Sequence, residues 1–123
     1  WWTMARAFGH WRLDDALWPL ARSVRDHPHN PEARDALAHC LAALGRASEA
    51  IAEARRALVD DPLSPALRAG LGFFLRCAGR LDEAARVLRK ALQAPARPSR
   101  KLADEGRRGE IAQLLDKIAA KRK

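Results

Sequence analysis

The sequence predicts an all-helical protein, and three observations support this prediction. Ala, Leu, Arg and Glu, which are good helix formers, dominate the composition, whereas Tyr is absent and β-branched residues are scarce. Apolar residues recur three and four positions apart along most of the chain, which is the spacing of one helix face. The sequence also repeats itself every 34 residues. With 123 residues, the chain is one domain or one array of repeats.

The repeat is visible when residues 31–64 are laid over residues 65–98 without a gap. One period earlier the same register continues through residues 12–30, so we expect a truncated unit before the two full units. The coincident pairs are Pro31 and Pro65, Leu37 and Leu71, Leu41 and Leu75, Gly45 and Gly79, Glu49 and Glu83, and Ala57 and Ala91.

The helix ends can be read from capping residues. Asn30 and Ser64 are favourable N-cap residues, and each precedes a Pro, which suits the first helical position. Gly45 and Gly79 stand where a first helix must stop, because Gly adopts the left-handed conformation at low cost. We therefore expect a helix on each side of both glycines. The predicted second helices span residues 47–60 and about 81–94.

This pattern of helix pairs resembles the tetratricopeptide repeat. The Trp that is usual early in such a unit is absent, and Arg34 and Arg68 take its place. The resemblance covers about residues 1–96 and implies an α-solenoid of about two and a half repeats. The matching positions are Leu37, Ala38, Leu41, Gly45, Ala50, Ala54, Ala57 and Pro62 in one unit, and Leu71, Gly72, Leu75, Gly79, Ala84, Leu88 and Ala91 in the next.

We expect four segments along the chain. They are a truncated first unit (1–30), a complete unit (31–64), a second complete unit with a linker (65–98), and a basic amphipathic capping helix (99–123). The last helix has apolar residues three and four positions apart, and arrays of this family are usually closed by such a helix. The predicted apolar stripe consists of Ile111, Leu114, Leu115 and Ile118, and Leu102 would extend it.

The net charge of +8 lies mainly in the C-terminal segment. Residues 95–123 contain nine Lys or Arg and four Asp or Glu. Two interpretations remain open: a solvated basic helix that keeps the chain soluble, or a contact for nucleic acid, acidic protein or anionic lipid.

The sequence predicts neither an enzyme nor a cofactor site. It has no phosphate-binding Gly loop, and His39 and Cys40 are neighbours in sequence, so they point in different directions around a helix and form a poor catalytic pair. His27 and His29 lack a third metal ligand, so we predict no metal site. Cys40 and Cys77 make no disulfide framework and are expected to be small apolar core residues.

The resemblance implies a surface for protein interaction. In arrays of this family the first helices line a concave groove that holds a peptide. The aromatic groove residues are expected either to anchor a partner or to pack against the cap and against missing sequence. The Lys and Asn that grip a peptide's terminal carboxylate in the chaperone-binding subclass of the family are absent. The predicted partner-binding residues are Trp1, Phe8, Asp35, His39, Ala69, Phe73 and Arg76.

The predicted function is therefore a scaffold that binds a peptide or protein in this groove. The alternatives are a regulatory repeat segment of a larger bacterial enzyme or transcription regulator, a nucleic-acid contact through the basic C-terminal helix, and self-association through the Trp-rich first unit. Because no signal peptide or long apolar run is present, we expect a cytoplasmic protein. The start at Trp1-Trp2, without Met, predicts a fragment of a longer protein.

Overall fold

The computed structural model describes residues 13–93 and 101–122, and these residues form six α-helices and no strand. The prediction of an all-helical repeat array is confirmed. Within these two ranges, none of the helices combines the length and the hydrophobicity that a membrane span requires. The helices are α1 (Leu13–Asp26), α2 (Pro31–Ala43), α3 (Ala47–Asp60), α4 (Pro65–Cys77), α5 (Leu81–Gln93) and α6 (Lys101–Arg122).

The predicted capping residues begin and end the helices where expected. The Asn30 side chain accepts hydrogen bonds from the backbone N–H groups of Glu32 and Ala33, at 3.0 and 3.3 Å. The Ser64 hydroxyl accepts one from the N–H of Leu67 at 3.2 Å. Both turn glycines have positive φ, 80° at Gly45 and 78° at Gly79, and so permit the reversal between paired helices.

The six helices pack in chain order, each against the next. In addition, α4 contacts both α2 and α6, whereas α3 and α5 do not contact each other. Because the alternate helices α2, α4 and α6 approach one another on one side only, they form the inner, concave face of the array. The helices α3 and α5 form the outer layer.

Small residues allow the helices to pack closely. Ala38, Ala50 and Ala84 are fully buried at the crossings, and the buried Leu75 and Leu88 fill the space between neighbouring helices. A Cβ atom at Gly72 would lie 2.4 Å from Cδ2 of Leu88. The close packing of α5 on α4 therefore requires glycine at this position.

The last helix covers the end of the array. Ile111 and Ile118 of α6 are buried, and α6 packs against both α4 and α5. Leu114 and Leu115 are partly buried against the same core. Leu102, however, is 86% exposed, so the expectation that it extends the apolar stripe is wrong. It lies in the first turn of α6, where no side chain of the described residues covers it.

The two cysteines differ. Cys40 is buried on α2, as expected, but Cys77 is exposed, so the core position predicted for it is wrong. Cys77 is the last residue of α4, and the residues that follow it, Ala78 and Gly79, are exposed as well. The turn after α4 therefore leaves the Cys77 side chain open to solvent.

The two arginines that replace the usual Trp connect each unit to the preceding turn. Nε of Arg34 donates to the carbonyl oxygen of Pro28 at 2.9 Å, and its Nη1 donates to Oε2 of Glu53 at 2.8 Å. One period later, Nη2 of Arg68 donates to the carbonyl of Pro62 at 2.7 Å. A guanidinium group can thus hold the inter-repeat turn where the family commonly places an aromatic ring.

Candidate functional site

A cleft of about 380 Å³ opens on the concave face, between α2, α4 and α6. Its floor comes from α4, and α2 and α6 supply opposite walls. A volume of this size is within the range of small ligand pockets and would accept one or two side chains of a bound chain. The lining residues are Asp35, His39, Ala66, Ala69, Gly70, Phe73, Arg107, Glu110, Gln113, Leu114 and Lys117.

Three rings lie together where α2 meets α4. The His39 ring packs edge-on against the buried Phe74, with ring centroids 4.9 Å apart. Phe73 is half-buried, and its ring centroid lies 5.8 Å from that of Phe74 and 6.4 Å from that of His39. Phe74 belongs to the core, so Phe73 is the aromatic residue that the cleft leaves available to a ligand.

Small residues keep the α2 side of the cleft narrow. A Cβ atom at Gly70 would lie 3.2 Å from Oδ1 of Asp35, so glycine allows this carboxylate to approach the backbone of α4. Nε2 of His39 lies 3.5 Å from the same oxygen. Burial raises the pKa of Asp35 above its usual value, and the nearby His39 and Arg107 partly offset this rise.

The opposite wall is a single face of α6. Arg107, Glu110, Leu114 and Lys117 are spaced three and four residues apart, so one side of the helix presents all of them. Nη1 of Arg107 donates to Oε2 of Glu110 at 2.7 Å. Lys117 makes no ion pair with any residue in the described ranges.

Sequence reasoning did not identify the residues of this wall, although a signal was available. The sequence pattern predicts only a capping helix over residues 99–123 and assigns it no part of the groove. His39, Phe73 and Arg107 are nevertheless separated by 34 residues each, and all three line the cleft. Extending the repeat by one more period would have placed Arg107 at the groove position that His39 and Phe73 occupy.

The structure brings together four of the predicted partner-binding residues. Asp35, His39, Ala69 and Phe73 all line the cleft. Arg76 does not line it; this side chain is half-buried, and its Nε atom has no hydrogen-bond partner within the described ranges. The other two predicted residues, Trp1 and Phe8, lie outside the described residues.

The chemistry of the cleft suits binding. No Ser, Thr or Cys is among its described lining residues, so the His39–Asp35 pair has no nucleophile to activate there. Within residues 13–93 and 101–122, no cluster of three or more His, Cys, Asp or Glu side chains is arranged to hold a metal ion. An apolar floor bordered by charged side chains resembles the apolar core and polar rim of protein interfaces.

Comparisons with known proteins agree with this architecture. A family model described as tetratricopeptide repeat matches residues 12–72. No curated protein matches the chain in a sequence search. Two similar solved structures are PcrH in complex with the chaperone binding region of PopD, and the Yersinia enterocolitica type III secretion chaperone SycD in complex with a peptide of the translocator YopD.

Both similarities extend over nearly the whole chain. The alignment with PcrH has a TM-score of 0.76 at 18% identity and covers 98% of this chain and 91% of PcrH. The alignment with SycD has a TM-score of 0.72 at 21% identity and covers 98% of this chain and 92% of SycD. At these identities the likeness establishes a shared fold.

Proposed function

Residues 12–72 match the tetratricopeptide-repeat family, and from that premise we propose that this chain is a non-enzymatic scaffold that binds a segment of another protein in the cleft between α2, α4 and α6. The half-buried Phe73 on the floor of this cleft carries the proposal. Aromatic side chains in concave, partly dry sites supply much of the binding energy at protein interfaces.

Two further observations support a protein ligand. The cleft lies on the concave face formed by the first helices of each pair, where a bound chain can contact successive units. In addition, PcrH and SycD, which share this fold, have been crystallised with segments of PopD and YopD. The cleft on this chain has an apolar floor and charged walls, which suit a bound peptide segment.

The experiment is a selection from a random phage-displayed peptide library, followed by fluorescence polarisation with the selected peptide. Replacing both Phe73 and His39 with Ala should weaken binding by about tenfold or more, since interface aromatics commonly contribute that much. A matched control replaces Val59 and His29 with Ala, because both side chains are exposed and neither lines the cleft. The control should bind like the parent, and circular dichroism should show that all variants are folded.

If the double cleft variant binds the selected peptide as tightly as the parent does, the cleft is not the binding site. Equal losses in the cleft and control variants would point to a general effect on folding and would also contradict the proposal.

The alternative functions stay predictions. The described part of the C-terminal helix, α6, has six Lys or Arg and four Asp or Glu, so its net charge is only +2, and it is a weaker basic surface than the composition indicates. Nucleic-acid binding through it should disappear between low and moderate salt if it occurs. A regulatory role within a larger protein and a cytoplasmic location are also predictions from the sequence.

A further inference from the structure

Building on the proposed function, we propose that the cleft selects peptides in which an apolar anchor residue is flanked by Asp or Glu, with Lys117 binding the acidic side chain. Phe73 and its small neighbours would hold the anchor. The walls of the cleft differ in charge, and this difference would fix the position of the carboxylate.

The anchor position follows from the floor of the cleft. Ala66, Ala69 and Gly70 are small, and Phe73 and Leu114 are large, so together they form an apolar depression with a ring at one side. Phe73 is only half-buried by its own chain. An apolar side chain placed there would complete its burial, and burial of apolar area is what stabilises such contacts.

The charges on α6 favour a carboxylate beside that anchor. Arg107 and Glu110 form an ion pair with each other, so their charges largely cancel. Lys117, one helical turn beyond Leu114, has no acidic partner in the described ranges. An acidic residue next to the anchor would therefore meet an uncompensated ammonium group at the edge of an apolar surface, where an ion pair is less screened than in open water.

The α2 wall disfavours a peptide carboxylate on its own side of the cleft. Asp35 lies on that side, with His39 as its neighbour. A peptide carboxylate placed toward α2 would be repelled by Asp35, and placed toward α6 it would be attracted by Lys117. Unlike charges on two facing walls thus select both the composition and the orientation of the bound segment.

An acidic peptide fits better than a second copy of this chain. The net charge of the chain is +8, so two copies repel each other, whereas an acidic segment is attracted to the whole molecule as well as to Lys117. The occupant we propose is therefore an extended segment of a different, acidic protein.

The test is an array of decapeptides with a central Leu or Phe, in which each flanking position carries Glu, Gln or Lys. The parent protein should bind Glu-flanked peptides more tightly than Lys-flanked ones, by about twofold to fivefold, as expected for an exposed ion pair. Lys117→Glu should reverse this preference and keep the requirement for the apolar residue. Raising the salt concentration should reduce the preference of the parent.

Lys121→Glu is the matched control, because it makes the same charge change on the same helix, at an exposed position that does not line the cleft. It should leave the order of the peptides unchanged. Phe73→Ala should weaken binding of Glu-flanked and Lys-flanked peptides alike.

The outcomes separate this inference from the proposed function. If Phe73→Ala abolishes binding but Lys117→Glu leaves the charge preference unchanged, the acidic-peptide inference is wrong and the binding cleft stands. If neither substitution affects binding, both proposals fail. If a single-stranded thymidine oligonucleotide displaces the peptide from the parent protein but not from the Lys117→Glu variant, the site binds nucleic acid and the inference is wrong. Cleft-dependent self-association would also overturn it.

Discussion

Gly72 shows how a single residue controls the packing of two helices. The fully buried side chain of Leu88 occupies the space where a Cβ atom of residue 72 would stand. Gly70, two residues earlier, allows the closer approach of Asp35 that shapes the cleft. Glycine inside a helix is usually less stabilising than Ala. At both of these positions, however, glycine allows a neighbouring side chain to approach the helix backbone closely.

We expect Gly72→Ala to lower the free energy of unfolding by about 1–3 kcal/mol, because overpacking forces Leu88 or the backbone of α4 to move. Gly106→Ala is the matched control. A Cβ atom at residue 106 would meet nothing within 4 Å. Replacing this helical glycine with Ala should therefore raise the free energy of unfolding by about 0.5–1 kcal/mol. Urea unfolding followed by circular dichroism measures both effects. A stabilising Gly72→Ala would contradict the packing described for α4 and α5.

At the scale of the element, α6 has two roles that the sequence did not connect. Ile111 and Ile118 close the core of the array, and the adjacent face of the same helix forms one wall of the cleft. Because one helix carries both faces, the stability of the array and the shape of the binding site depend on the same packing contact.

The capping role predicts that Ile111→Ala will destabilise the array by about 2–5 kcal/mol, the usual cost of truncating a buried Ile. Hydrogen exchange should show the loss of protection first in α5 and α4, which α6 covers. Leu102→Ala, on the same helix but with the Leu side chain 86% exposed, should change stability by less than about 0.5 kcal/mol. Similar losses in the two variants would mean that α6 does not cover the core as described.

At the scale of the whole molecule, stability depends on neighbours. Each helix packs against the next, and no helix pair can bury its apolar face alone. The positive net charge opposes self-association of the chain, whereas the exposed Trp18 on α1 favours self-association. The balance between these two effects can be measured.

Self-association through the Trp-rich first unit remains a prediction from the sequence. Trp18 on α1 is 66% exposed, and the other three Trp residues lie outside the described residues. We expect the sedimentation coefficient to rise with protein concentration, and to rise more at higher salt, because salt screens the repulsion between copies.

Trp18→Ser should reduce this rise. Val59→Ser is the matched control, because Val59 is also a large exposed apolar residue, 80% exposed, on a different unit. If sedimentation of the parent does not depend on concentration at any salt level, the first unit does not mediate self-association.

The sequence by itself determined the helices and their order. Asn30, Ser64, Gly45 and Gly79 act within one or two turns of their own positions, so the helix ends could be predicted from local chemistry. Likewise, the 34-residue period predicted the stacking of the pairs, since it repeats the same apolar face. These features depend on interactions between residues close in sequence, or between copies of one pattern.

Only the tertiary structure decided which faces are covered and what the cleft contains. The exposure of Cys77 depends on the turn after α4, and the exposure of Leu102 and the wall formed by Arg107 and Lys117 depend on where α6 packs against α4 and α5. Periodicity places residues on a common face of a helix, but it does not say which neighbouring helix that face will meet. Burial and charge in the cleft arise from contacts between distant segments, so they became visible only when the helices were assembled.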